Sequence, residues 1–193
     1  MPLFYKFVFM LFIATQAMGQ DSLTFEIKTK LFKLGDLNIT KTTSQTGDTV
    51  NYKLKSTVLG YSFYTIDYLM ESEFVSGVLK NSLSSIIVNG NPHHYCTTTQ
   101  TKTGYVVHSL DGELTHTQPI TSGITPLYFG EKIVADSVFS EYSGRYRPFV
   151  IKNDSTYILD PESPMEFVFS KGKIKRIIVP NVIMDFYVVL IDD

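Results

Sequence analysis

The sequence His93-His94-Tyr95-Cys96 holds the residue types best suited to chemistry. On a strand, His94 and Cys96 would share one face, at i and i+2. Imidazole and thiolate together suit zinc or copper, but a metal site needs three or four converging ligands. His108 and His116 lie on later segments, so a site assembles only if those segments neighbour the first. The candidates for a metal are therefore His94, Cys96 and His108. The plainer reading is two histidines beside a turn and a small buried thiol. A Cys–His nucleophile would also need an activated thiolate, a third orienting group and an oxyanion hole, and none is readable.

A second cluster is basic and aromatic: Tyr142, Arg145, Tyr146 and Arg147. Residues interleaved in this way bind anionic groups or stack on flat ligands. They are the candidates for ligand binding. Their plainer reading has Glu141 and Arg145 pairing across one helical turn. Asp67, Glu71 and Glu73 share a strand face, which is more often solvated than catalytic. Asp185, between Ile183 and Tyr187 on the same face, would need a donor if buried, with Arg145, Arg147 and Arg176 as candidates. No Gly-rich phosphate loop, nucleophile elbow or His-Glu-x-x-His motif occurs. These residues request no enzyme activity and no cofactor.

The elements that would carry these groups follow from composition. The chain has 193 residues, which favours one domain. It carries 14 Phe and 12 Tyr but no Trp, and only 19% charged residues. Thr, Ser, Val and Ile are abundant, a mix that fits pleated, half-buried surfaces. The formal net charge of −2 gives no field toward nucleic acid. With Cys96 as the single cysteine, no internal disulfide can form, so the core alone must hold the fold.

The first residues read as a secretory signal. Lys6 supplies the positive region, Phe7 to Ala14 the apolar region, and Ala17 and Gly19 the small residues before cleavage at Gly19–Gln20. The apolar run is too short to span a membrane, and no later stretch forms a transmembrane helix. The expected division is a signal peptide over 1–19 and one β domain over 20–193. The expected location is the periplasm or envelope of a Gram-negative bacterium.

In that domain apolar and polar residues alternate with period two. Val50, Tyr52 and Leu54 alternate with Asn51, Lys53 and Lys55; Tyr64, Ile66, Tyr68 and Met70 interleave with Thr65, Asp67 and Glu71. Asn89-Gly90, Asp111-Gly112 and Lys171-Gly172 supply hairpin turns. The pattern predicts an all-β, meandering antiparallel sheet curved into a barrel or half-barrel. Residues 118–144, with Pro119 and Pro126, break the rhythm and predict a short helix or loop lid. Asp136-Ser137 is the expected cap of a helix running to Glu141 or Tyr142. Val182 to Ile191 is apolar on both faces apart from Asp185, which predicts a strand placed centrally or under a lid.

Several stretches carry a family resemblance: Phe25-Glu26-Ile27-Lys28 leading into Leu34-Gly35-Asp36-Leu37, the tract from Tyr52 to Phe74, Leu127-Tyr128-Phe129-Gly130-Glu131, and Val138-Phe139-Ser140-Glu141 with Gly144-Arg145-Tyr146. Together they resemble a family of uncharacterised exported proteins of Gram-negative bacteria, a domain of unknown function. One departure is Gly130-Glu131-Lys132, where an acidic residue and a proline are expected. The resemblance implies a curved antiparallel sheet and carries over no active site.

Four functions stay open at this point, of which an enzyme is the one that nothing in the residues requests. A curved aromatic sheet must fill its concave face, and unfilled space there would bind an apolar or amphipathic, lipid-like molecule. An exposed sheet edge would instead hold an envelope protein partner. A small outer-membrane barrel is the third, against which stand lysine-bearing strand faces and the chain's end at Asp192-Asp193.

Overall fold

The two-residue rhythm becomes burial on alternate residues. Between Thr49 and Leu59, Tyr52, Leu54 and Ser56 are buried while Asn51, Lys53, Lys55 and Thr57 face solvent. A computed structural model describes residues 19–59, 64–131, 136–160, 164–180 and 185–191. Residues 1–18 of the expected signal peptide, 1–19, lie outside the described residues. Gly19 and Gln20 open the first strand, exposed and paired with Thr43 and Thr42.

The first meander comprises β1 (Gly19–Lys28), β2 (Lys33–Thr43), β3 (Thr49–Leu59), β4 (Thr65–Val75), β5 (Val78–Val88), β6 (Asn91–Thr101), β7 (Gly104–Ser109) and β8 (Gly112–His116). A one-turn helix α1 (Ile124–Leu127) follows. The second meander is β9 (Ser137–Ser140), β10 (Arg145–Asn153), β11 (Thr156–Leu159), β12 (Met165–Ser170), β13 (Lys173–Val179) and β14 (Phe186–Leu190). Pairing of β1 with β14 joins the two into one 14-stranded sheet with β8 and β9 at its ends. Every strand pair is antiparallel. The described part of the last apolar stretch, β14, is central in the order, as its sequence predicts. Positive φ at both Asn89 (50°) and Gly90 (79°) gives the β5–β6 hairpin the turn whose twist matches the strands.

Two bulges set which side chains face inward. The β4–β5 register shifts beside Phe74 and the β5–β6 register shifts at Ile86/Ile87. The second leaves His93 unpaired, between Pro92 opposite Ile87 and His94 opposite Ile86. His94, Cys96 and Thr98 then point inward and Tyr95 outward, so His94 and Cys96 do share a face.

The concave face is occupied by the chain's own connecting segment. Ile120 and Ile124 through Tyr128 are all buried. Ile124, Leu127 and Tyr128 pack with Phe25, Leu54 and Phe167. Ile120 packs with Tyr52, Phe74, Leu79 and Tyr105. The segment is pinned where it enters: Leu79 N–H donates to Ile120 O (2.8 Å), and the Tyr105 hydroxyl donates to Leu79 O (2.9 Å).

The structure corrects the position of the helix. Ser137–Ser140 is strand β9 and Glu141–Gly144 is a turn, so no helix runs from Asp136 to Tyr142. Val138 is buried in one core cluster and Phe139 in the other. A segment apolar on both faces fits a strand between two packed layers better than a helix with one wet side. The helical turn forms earlier, at Ile124–Leu127, where Pro126 sits in the first turn and no intrahelical donor is lost.

Candidate functional site

Glu141 follows the doubly buried strand β9 and is itself fully buried. Ile124 N–H donates to its Oε2 (2.9 Å); Thr125 N–H and the Thr125 hydroxyl donate to its Oε1 (3.1 and 2.7 Å). Ser72 extends the network through a 2.6 Å contact between hydroxyls. The carboxylate thus caps α1 from another element and fastens the internal segment. Burial pushes its pKa up, and the hydrogen bonds from Thr125 and the backbone offset part of that rise. A Cβ on Gly123 would lie 2.5 Å from Glu141 Oε1, so only glycine lets the carboxylate approach here.

The turn after Glu141 closes the sheet without a ladder. β8 and β9 do not pair, yet the turn packs against the inner face of β6 and β7. A Cβ on Gly144 would lie 2.2 Å from Val107 Cγ1 and 3.2 Å from Cys96 Sγ. Two histidines bridge the seam: His94 Nε2–H donates to Tyr142 O and His116 Nε2–H to Gly144 O, each at 2.8 Å. The His94 ring also stacks on Tyr142, centroids 3.8 Å apart and planes 16° apart. His116 sits edge-on to Phe139 and Tyr146.

Beside this seam lies a cleft of about 200 Å³, lined by His94, Ser109, Asp111, Leu114, Tyr142, Ser143, Arg145 and Arg147 among others. Arg147 is committed: it donates to Asp160 (2.9 Å) and Ser143 (3.4 Å). Arg145 is exposed, and among the described residues its side chain has no hydrogen bond or ion pair. The structure therefore gathers three of the four basic–aromatic candidates, Tyr142, Arg145 and Arg147, together with His94. Tyr146 points to the other side of β10, against Phe139 and His116.

The metal candidates are not gathered. His108 is exposed and faces Glu113 at 3.3 Å. Cys96 is fully buried, its thiol pushed up to about 11 by burial. His94 has given its Nε2 to a carbonyl, as above. Among the described residues no three His, Cys, Asp or Glu converge. Asp67, Glu71 and Glu73 pair outward with Thr57, Lys53 and Asn81 respectively. Arg147, a proposed partner of Asp185, pairs with Asp160 instead. Glu141 does not pair with Arg145; it caps α1.

Two other depressions are polar or already committed. One of about 490 Å³ lies near Gly130, Glu131, Tyr157, Phe169 and Lys171. Its Glu131 accepts from Lys41 (2.9 Å) and from the Tyr52 hydroxyl. The other, about 330 Å³, crosses the outer face at Thr40, Thr42, Lys53, Glu71 and Glu73. No helix among the described residues is long and apolar enough to cross a membrane.

Fold and seam define an all-β, barrel-like protein whose sheet is left unclosed and filled by its own connecting segment. The chain belongs to the family described as a domain of unknown function (DUF6134), which matches residues 25–186. It is similar in fold to a solved structure from Brucella abortus, a beta-barrel-like protein of domain of unknown function DUF1849. That likeness has a TM-score of 0.55 at 11% identity and covers 92% of this chain and 97% of the other. No curated protein matches this sequence.

Proposed function

We propose that this protein is an exported, non-enzymatic binding protein that holds a small amphipathic molecule by its anionic group at the seam cleft. The observation that carries this reading is Arg145, a guanidinium with no ion pair among the described residues, beside the stacked His94–Tyr142 rings. A guanidinium recognises carboxylate or phosphate through two parallel donors, and ring faces and Leu114 offer apolar contact. The concave interior is a poorer site, because the Ile120–Tyr128 segment occupies it. The positive, apolar and small-residue regions of the first 19 residues support export. Dodecyl phosphate, titrated calorimetrically below its micelle concentration, should bind saturably, while dodecanol should not. Arg145→Ala should weaken binding about tenfold, the loss of one charge-assisted pair. Equal heats for the two amphiphiles, or an unchanged affinity in the variant, would defeat the proposal.

A second reading rests on β8. The Ser109↔Gly112 pair closes a two-residue turn, so Glu113 and Thr115 point their N–H and C=O groups away from β7. That exposed edge suits an added strand from an envelope partner. Crosslinking from a cysteine placed at Thr115 would capture such a partner, and a cell extract yielding none would remove this reading.

A further inference from the structure

A row of short polar side chains crosses the inner face from one wall of the sheet to the other. By register Ser72 on β4 lies opposite Ser82 on β5, and Ser82 lies opposite Thr98 on β6. All three are buried, Thr98 completely. At one end the row is satisfied: Ser72 bonds Thr125, which donates to Glu141. At the other it is not, since Ser82 Oγ and Thr98 Oγ1 have no hydrogen-bond partner among the described residues. A buried hydroxyl left unpaired costs about 1–3 kcal/mol, and two adjacent ones facing the same space are improbable in a dry core.

Directly opposed side chains on antiparallel strands have Cβ atoms about 4.5–5.5 Å apart. The Ser82 and Thr98 hydroxyls do not bond one another across this pair. An oxygen placed between them would make one hydrogen bond of ~2.8 Å to each. Serine is also the smallest hydroxylic residue, whereas Leu54 and Leu79, on neighbouring inward positions, are bulky core side chains. We infer that ordered water binds inside the sheet between Ser72, Ser82 and Thr98, extending the Ser72–Thr125–Glu141 network across β5 to β6. Each water there has the two or more polar partners that buried water requires. This internal site is separate from the seam cleft and does not depend on the function proposed for it.

The test is the sign of a stability change. In a hydrated site, Ser82→Ala and Thr98→Val remove partners of bound water, and each should lower Tm by roughly 3 °C or more for a chain of this size. In a dry site the same changes remove an unpaired hydroxyl and should raise Tm. Thr99→Val, on the outward face of the same strand, should leave Tm within about 1 °C and serves as the control. A crystal structure at high resolution supplies the second readout if a variant fails to fold. Density within hydrogen-bond reach of both Ser82 Oγ and Thr98 Oγ1 is the expected result. A raised Tm in either variant, or no such density, overturns the inference.

Discussion

Glu141 connects strand β9 to the helical turn α1 through three hydrogen bonds to one carboxylate. Burial is the larger influence on it and raises its pKa. A carboxyl whose folded-state pKa lies above its unfolded value stabilises the fold most when protonated, below the ordinary value near 4.5. That contribution is lost as pH rises through the raised value. Glu141→Gln has no charge to desolvate and keeps one of the two accepting oxygens, while its NH2 group replaces the other. The stability difference, wild type minus variant, should therefore fall as pH rises from 4 to 8, read from urea midpoints. A difference that grows with pH would mean that the hydrogen bonds outweigh burial. Glu141→Ala should be far worse, by about 3 kcal/mol, because it orphans two buried N–H groups and leaves a hole. Gly144 is the other critical residue: its φ of +63° and the crowding by Val107 Cγ1 both oppose a side chain. Gly144→Ala should cost about 2 kcal/mol and loosen the seam.

At the scale of elements, the core prediction concerns the internal segment. Leu127 is buried among Phe25, Leu54 and Phe167, so Leu127→Ala should cost about 2–5 kcal/mol, measured by chemical denaturation. The strands and hairpins were legible because Tyr52/Leu54 against Lys53/Lys55, and Asn89-Gly90 at the turn, are local signals. Asp136-Ser137 has the local signature of a helix cap, yet no helix follows it, because Val138 and Phe139 enter separate core clusters. The bond from Glu141 to Ile124 and Thr125 joins residues with no local pattern between them, so no spacing rule points to it. Tyr142, Arg145, Tyr146 and Arg147 were legible as a basic–aromatic cluster, of which Tyr142, Arg145 and Arg147 line one cleft. Their joining with His94 was not, because it depends on the hairpin turn of the second meander reaching the inner face of the first.

For the whole molecule, the governing feature is a 14-stranded sheet that curls but leaves its end strands unpaired. Side chains do the closing: His94 and His116 hold the carbonyls of Tyr142 and Gly144 across the gap. The concave space is filled from within by residues around α1. The outer face at Lys53, Glu71, Glu73 and Asn81 is polar and laced with pairs.

The claim on which this account turns is that ligands meet the protein at the seam while the interior stays occupied. Residue-resolved NMR during a titration with dodecyl phosphate tests it most directly. The account predicts shifts confined to His94, Leu114, Tyr142 and Arg145, with Phe25, Leu54, Leu127 and Phe167 unmoved. Shifts centred on those four core residues, with the seam silent, would show the internal segment giving way to the ligand and would contradict it.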